Sequence, residues 1–127
     1  MMPRKVVGQN RELYDALVAA GATRRTATRL QNYLTHLGYP AWAINEMVAE
    51  GLVVITPKCD APKVQAIAAE LAEGNKNATL CLLHRRNKAR KALAAQLVAT
   101  HASMSASKKG FTLLVYGRKL PKQHIIL

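Results

Sequence analysis

Residues 52–83 run LVVITPKCDAPKVQAIAAELAEGNKNATLCLL, and this stretch decides the fold class. Both of its ends are short, continuously apolar segments, as is typical of strands covered on both faces. Between them, Asp60 can cap a helix with Pro62 in its first turn, apolar residues at helical spacing and Gly74 after its end. A strand, a helix and a second strand in this order predict a parallel βαβ unit.

The alternation continues toward the carboxyl terminus. We predict a second helix over residues 88–100, a loop from His101 to Gly110, a third apolar strand over residues 111–116 and a short edge strand over residues 124–127. The result is an α/β fold with a small three- to four-stranded, mostly parallel sheet and two helices. A mixed α+β arrangement stays open, because the alternation alone does not prove that every strand is parallel.

Three helices are predicted ahead of residue 52. The first begins after a capping Asn10 and ends at Gly21, and the second begins after a capping Thr23 and ends at Gly38. The third covers residues 41–50, with its apolar positions again at helical spacing.

The length of 127 residues allows one ordinary domain or two very small ones that share a core. We therefore expect a helical module over residues 1–57 packed on an α/β half over residues 58–127. One continuous domain that shares the strand 52–56 is the alternative.

The stretch DALVAAGATRRTATRL, residues 15–30, resembles the helix-turn-helix superfamily, with a glycine in the turn and a capping threonine before the second helix. This resemblance implies that the second helix reads DNA bases. Its polar side chains of suitable chemistry are Arg24, Arg25, Thr28, Arg29, Gln31 and Asn32. The competing interpretation makes these helices a packing or dimerisation module.

A second register places the reading helix later in the chain. The segment EMVAEGLVV, residues 46–54, looks like the helix-to-wing junction of winged-helix proteins. However, residues 41–50 contain Glu46 and Glu50 and no Lys or Arg, and carboxylates repel phosphates. The charge of this segment therefore favours the earlier register.

Positive charge is concentrated in the second half of the chain. The formal net charge is +12, and residues 1–73 hold eight Lys and Arg against seven acids, whereas residues 74–127 hold eleven and no acid. Because salt bridges within this half cannot neutralise these charges, we expect a polyanionic partner, and nucleic acid is the commonest one. Aromatic residues are scarce, so phosphate contacts rather than base stacking should dominate binding.

Cationic residues follow each of the three predicted apolar strands, and ligands of parallel sheets bind beyond the carboxyl ends of the strands. If the strands are parallel, one edge of the sheet gathers Lys58, Lys63, Arg85, Arg86, Lys88, Arg90, Lys91, Arg118, Lys119 and Lys122. The densest group, HRRNKARK at residues 84–91, places cations at a helix start, where each costs about 0.3–1 kcal/mol until an anion binds. It also resembles the arginine-rich helices that bind RNA hairpins.

Metal-dependent catalysis is not expected from this composition, whereas a metal-free mechanism that uses His84, His101, His124 or Tyr116 stays open. Metal-dependent nucleases and phosphoryl transferases hold their ions with clustered carboxylates, and no acid lies beyond Glu73. We expect neither a metal nor a cofactor. The two cysteines lack Cys-x-x-Cys spacing, and no signal peptide or membrane-length apolar run is found, which predicts an intracellular, reduced protein that does not span a membrane.

The sequence thus predicts a non-catalytic nucleic-acid-binding protein. DNA is slightly favoured, and this preference rests only on the helix-turn-helix resemblance. Two alternatives stay open: an RNA-binding protein that uses residues 84–91, and a basic inhibitor or adaptor that docks on an acidic protein surface. A protein partner or a homodimer is compatible with each of them.

Overall fold

The computed structural model describes residues 7–8, 12–73, 76–117 and 121–126. In these segments the helices are α1 (Leu13–Ala19), α2 (Arg24–Leu37), α3 (Ala61–Ala72) and α4 (Lys88–Thr100). The strands are β1 (Val7–Gly8), β2 (Trp42–Ile44), β3 (Glu50–Ile55), β4 (Asn77–Leu83), β5 (Met104–Lys108), β6 (Phe111–Val115) and β7 (Gln123–Ile126). The mixture of helices and strands confirms the predicted α/β class.

All of these strands join one mixed sheet in the order β1-β2-β3-β4-β6-β5-β7. Strands β2, β3 and β4 are parallel to one another, and β6 is antiparallel to β4. Because β5 is antiparallel to β6 and parallel to β7, both β5 and β7 run in the same direction as β4. We call the edge where β3 and β4 end the carboxyl edge, and the other end of these strands the opposite edge.

Helices cover both faces of the sheet. Leu52 and Val54 of β3 pack in the apolar cluster beneath α1 and α2. Val53 and Ile55 pack on the other face, beneath α3 and α4. Covering on both faces explains why the predicted strands are continuously apolar rather than alternating.

Three helices begin with a capping side chain. Thr23, Asp60 and Asn87 each accept a hydrogen bond from the main-chain N–H three residues later, at 3.2, 3.1 and 2.8 Å. These bonds satisfy amides that the first helical turn leaves without an intrahelical partner. The predicted caps Thr23 and Asp60 are confirmed, whereas Asn10 lies outside the described residues.

The predicted helix over residues 41–50 is wrong, and so is the three-helix module. Residues 42–44 form β2, and Asn45 then takes a left-handed conformation with φ of 59°. The Asn45 amide exchanges two hydrogen bonds of 2.8 Å with Thr56, which fixes the turn after β2 beside the end of β3. The helical spacing of apolar residues predicted a helix that does not form. Met47 and Val48 lie in the connection to β3 and pack on the sheet without being helical.

The predicted loop from His101 to Gly110 is also wrong, because β5 occupies half of it. A connection of two residues then turns the chain into β6, and such a short connection joins antiparallel strands only. The third apolar strand is therefore antiparallel to β4, and the expected mostly parallel order does not hold. The short strand near the carboxyl terminus is confirmed at the sheet edge as β7.

Candidate nucleic-acid interface

Exposed cations gather at the carboxyl edge because β3 and β4 end there side by side. Lys58 follows β3, and Arg85 and Arg86 follow β4. The first turns of α4 add Lys88 and Lys91, whose side chains are exposed as well. The structure thus brings these five predicted phosphate-binding residues to one edge, and Lys63, in the first turn of α3, lies there as well.

Two further cations at this edge were missed by the sequence analysis. The hairpin between β5 and β6 carries Lys108 and Lys109 and returns the chain beside the end of β4, where the Gly110 carbonyl accepts from the His84 N–H at 3.0 Å. The dipeptide Lys109-Gly110 between a serine-alternating segment and an apolar strand is a hairpin signal that could have revealed them. We define the basic edge as Lys58, Arg85, Arg86, Lys88, Lys91, Lys108 and Lys109.

The start of α2 adjoins the basic edge. Thr23 and Thr26 line a small cleft of about 100 Å³ together with Thr56, Arg85 and Gly110. The first turn of α2 therefore places Arg24 and Arg25, both exposed, next to the end of β4.

Farther along α2, Thr28, Arg29 and Asn32 are exposed, whereas Ala27, Leu30 and Leu34 are buried against the sheet. Gln31 differs from the other predicted base-reading residues. Its Oε1 atom accepts a hydrogen bond of 3.1 Å from the Tyr14 main-chain N–H. Gln31 therefore stabilises the first turn of α1.

Acidic side chains at the carboxyl edge are few and engaged. Glu46 accepts a hydrogen bond of 3.2 Å from the Lys63 ammonium, and both side chains are about half exposed. Asp60 caps α3. Lys63, a predicted phosphate ligand, is thus partly neutralised by Glu46, which lies in the connection between β2 and β3 and not in the predicted helix. Three other acids, Glu50, Glu70 and Glu73, lie toward the opposite edge, at the start of β3 and the end of α3.

Arg90, another predicted phosphate ligand, lies inside the protein. Its side chain is only 7% exposed, and its Nη2 atom donates to the main-chain carbonyls of Cys59 and Pro57. Its Nη1 atom has no hydrogen-bond partner among the described residues. Arg90 therefore ties α4 to the loop between β3 and α3, and its assignment as a surface ligand is corrected.

The expected contribution of the third strand to this edge is wrong. Strand β6 is antiparallel to β4, so it ends at the opposite edge, and Arg118 and Lys119 after it lie outside the described residues. Lys122 precedes β7 at the opposite edge, where its ammonium donates to the Ala99 carbonyl at 3.0 Å.

Two adjoining clefts run from the start of α4 along one side of this helix. The first is lined by residues 84–88, Lys91 and Lys109. The second lies between α4 and strands β5 to β7, and it shares His84, Lys91 and Lys109 with the first. We call the two clefts together the α4 groove.

Polar side chains form the sheet side of this groove. His84 Nε2 lies 2.8 Å from Thr112 Oγ1, and both side chains are buried. On β7, His124 bonds Ser105 through Nδ1 at 2.8 Å and Ser107 through Nε2 at 3.0 Å. Burial, and to a smaller degree the nearby Lys91 charge, lower the pKa of His84, so its imidazole is neutral at neutral pH.

His101 has a structural position at the opposite edge. Its Nε2 atom lies 2.8 Å from the Val115 carbonyl and 3.1 Å from the Met104 carbonyl, so this nitrogen carries the proton and donates. Its ring meets the Tyr116 ring edge-on with centroids 4.7 Å apart. Burial lowers the pKa of His101 and raises that of Tyr116 to about 12. The pair links the end of α4 to β5 and β6.

Comparison with protein-family models, curated proteins and solved structures finds no significant match to this chain. Within the described segments, no group of three or more His, Cys, Asp or Glu side chains is arranged to hold a metal ion. The longest described helix, α2, has 14 residues, and none of the described helices is long and apolar enough to cross a bilayer. Cys59 and Cys81 are both buried as free thiols.

Proposed function

We propose that the protein binds nucleic acid without catalysis, by placing backbone phosphates on the basic edge. The observation that supports this proposal best is the segregation of charge along the strand direction. Besides Lys63, which pairs with Glu46, seven Lys and Arg side chains lie at the carboxyl edge, and the other acid found there among the described residues caps a helix. A surface with this much unneutralised charge costs free energy until a polyanion covers it.

Helix geometry adds to the positive potential. Helices α2, α3 and α4 all begin at or beside the carboxyl edge, and each helix start carries a partial positive charge from its aligned peptide dipoles. In α4 the cations Lys88 and Lys91 reinforce this charge rather than oppose it. A phosphate at this position would accept hydrogen bonds from both kinds of donor.

Recognition of duplex DNA by α2 is a finer form of the proposal. It is supported by the exposure of Arg24, Arg25, Thr28, Arg29 and Asn32 on the side of α2 turned away from the sheet. Arg24→Ala with Arg25→Ala should then change the preference among duplex sequences while leaving most of the salt-dependent affinity. An unchanged preference would remove α2 as the reading element.

The proposal is tested by titrating labelled duplex DNA, single-stranded DNA and structured RNA at several salt concentrations. If about six cations of the basic edge contact phosphates, the slope of log K against log salt should be about −4 for a single strand and about −5 for a duplex. Which of the three ligands binds most tightly decides between DNA and RNA. Failure to bind any of them at low salt contradicts the proposal and favours an acidic protein surface as the partner.

A further inference from the structure

The second cleft of the α4 groove differs from the basic edge in its chemistry. Its helix wall is formed by Ala95 and Val98, and its outer lip by Ile126. Ile126 is 75% exposed. The next most exposed large apolar side chain among the described residues is Val18, at 37%. Because the helix wall opposite Ile126 is also apolar, a molecule in the cleft would pack against both.

The floor of the same cleft is polar where a core would be apolar. Ser107 and Thr112 line it, with their hydroxyls bonded to His124 and His84, and His124 adds an exposed imidazole. Hydroxyls and imidazoles are groups that hydrogen-bond the edges of unpaired bases, and an imidazole face also stacks on them. With a volume of about 460 Å³, the cleft lies within the size range of small-ligand pockets.

The two clefts share His84, whose side chain is 4% exposed and lines both of them. Its Nε2 atom is occupied by Thr112, but its Nδ1 atom has no hydrogen-bond partner in the described part of the chain. The main-chain carbonyl of His84 itself lies near this imidazole, outside hydrogen-bond geometry. Because the Nδ1 atom is buried, His84 contributes a neutral polar wall to both clefts rather than a direct contact to a ligand.

We propose that the α4 groove holds one single-stranded segment of nucleic acid. A phosphate lies at the start of α4, against Arg86 and Lys88, and the adjoining base enters the second cleft between Ala95 and His124, with Ile126 over it. A duplex can bring only its phosphates to this groove, because its bases are stacked and paired. This inference rests on the proposed function and adds the strand state of the ligand.

The test compares binding of single-stranded and duplex oligonucleotides of equal length by the same chain. Ala95→Phe fills the second cleft, and His124→Ala removes the stacking face while Ser105 and Ser107 stay in place. Each change should weaken single-strand binding about tenfold or more. The duplex affinity should change less than twofold. Ala66→Phe, at an exposed position of α3 away from the groove, is the matched control and should leave both affinities unchanged.

The outcomes distinguish a failure of the proposed α4 groove from a failure of the proposed nucleic-acid binding. Single-strand affinity that is unchanged in Ala95→Phe and His124→Ala, but lost on charge reversal at Arg85 and Lys88, overturns the groove and retains the basic edge. Tighter binding of the duplex than of the single strand also overturns the groove. Absence of binding to both ligands in the unmodified chain removes the proposed function itself.

Discussion

The guanidinium of Arg90 donates to the main-chain carbonyl of Cys59 from inside the protein, where the side chain is 7% exposed. The bond fastens α4 to the loop that leads into α3. Helix α4 carries the densest cations, and this loop carries Lys58. The bond from Arg90 therefore fixes the position of two parts of the basic edge relative to each other. Arg90 thus shapes the proposed binding surface without belonging to it.

Arg90→Met should lower the free energy of unfolding by about 2–3 kcal/mol, because the carbonyls of Pro57 and Cys59 lose a charged donor. Lys91→Met, at the exposed neighbouring position, should change it by less than about 0.5 kcal/mol. Chemical denaturation measures both values. Affinity for nucleic acid should show the reverse order, falling in Lys91→Met and unchanged in folded Arg90→Met. A loss of affinity without loss of stability in Arg90→Met would make its guanidinium a ligand-binding group.

Charge reversal should separate the two edges of the sheet. Arg85→Glu with Lys88→Glu should weaken binding of nucleic acid by about 100-fold or more at low salt, since attraction to phosphates becomes repulsion. Lys76→Glu with Lys122→Glu alters the net charge equally, but at the opposite edge. The second variant should therefore bind within a few-fold of the unmodified chain in the same fluorescence anisotropy titration. Equal losses in both variants would mean that net charge, not the basic edge, governs binding.

Stability should fall as pH decreases below about 6.5, the ordinary pKa of an exposed histidine. Burial lowers the pKa of His84 and of His101, so the unfolded chain binds more protons than the folded one between the lowered values and about 6.5. The stabilisation is present in full above that range and is lost on acidification through it. Thermal melting between pH 8 and pH 5 measures the effect.

The histidine responsible is identified by substitution. His84→Gln should reduce the dependence of the melting temperature on pH, because one of the two buried imidazoles is gone. His36→Gln replaces an exposed imidazole near the end of α2 and controls for the loss of a histidine elsewhere. If His84→Gln leaves the pH dependence as steep as before, the imidazole of His84 is not the group that takes up protons on unfolding.

Two glycines with similar backbone angles should respond differently to alanine. Gly38 has φ of 69° and open space where a Cβ would point, whereas Gly117 has φ of 81° and a Cβ there would lie 1.8 Å from the Lys76 carbonyl oxygen. Gly38→Ala should cost about 1–2 kcal/mol of folding stability from backbone strain alone. Gly117→Ala should cost at least about 3 kcal/mol, since the backbone at the start of β4 must move. Similar losses at both positions would show that the backbone at Lys76 moves away from a Cβ at position 117 at little cost in free energy.

Local signals in the sequence were sufficient for much of the fold. Thr23 and Asp60 cap the helices that they were expected to cap, and the apolar runs around Val53 and Leu82 form neighbouring parallel strands. These features depend on residues close together in the chain, so spacing and cap chemistry reveal them. Helix α4 follows in the same way from its residues beyond Asn87.

Other features depend on partners far apart in the sequence. The direction of β6 is set by the two-residue turn at Lys109 and by its pairing with β4. The apolar residues of β6 predict a strand but not its direction. In the sequence, Arg90 cannot be distinguished from its exposed neighbours. It is buried because the loop between β3 and α3 covers it. For the same reason, Lys108 and Lys109 lie at the candidate site although they were not predicted there, whereas Lys122, which was predicted there, lies at the opposite edge.

Among the described residues, the segregation of acids and cations gives this part of the molecule an electric dipole moment along the strands. Glu50, Glu70 and Glu73 form its negative end, and the cations around Arg85 form its positive end. In the field of a long polyanion, such a dipole experiences a torque before any contact is made. The protein should therefore arrive with the carboxyl edge leading, so that a large fraction of its collisions are already correctly oriented.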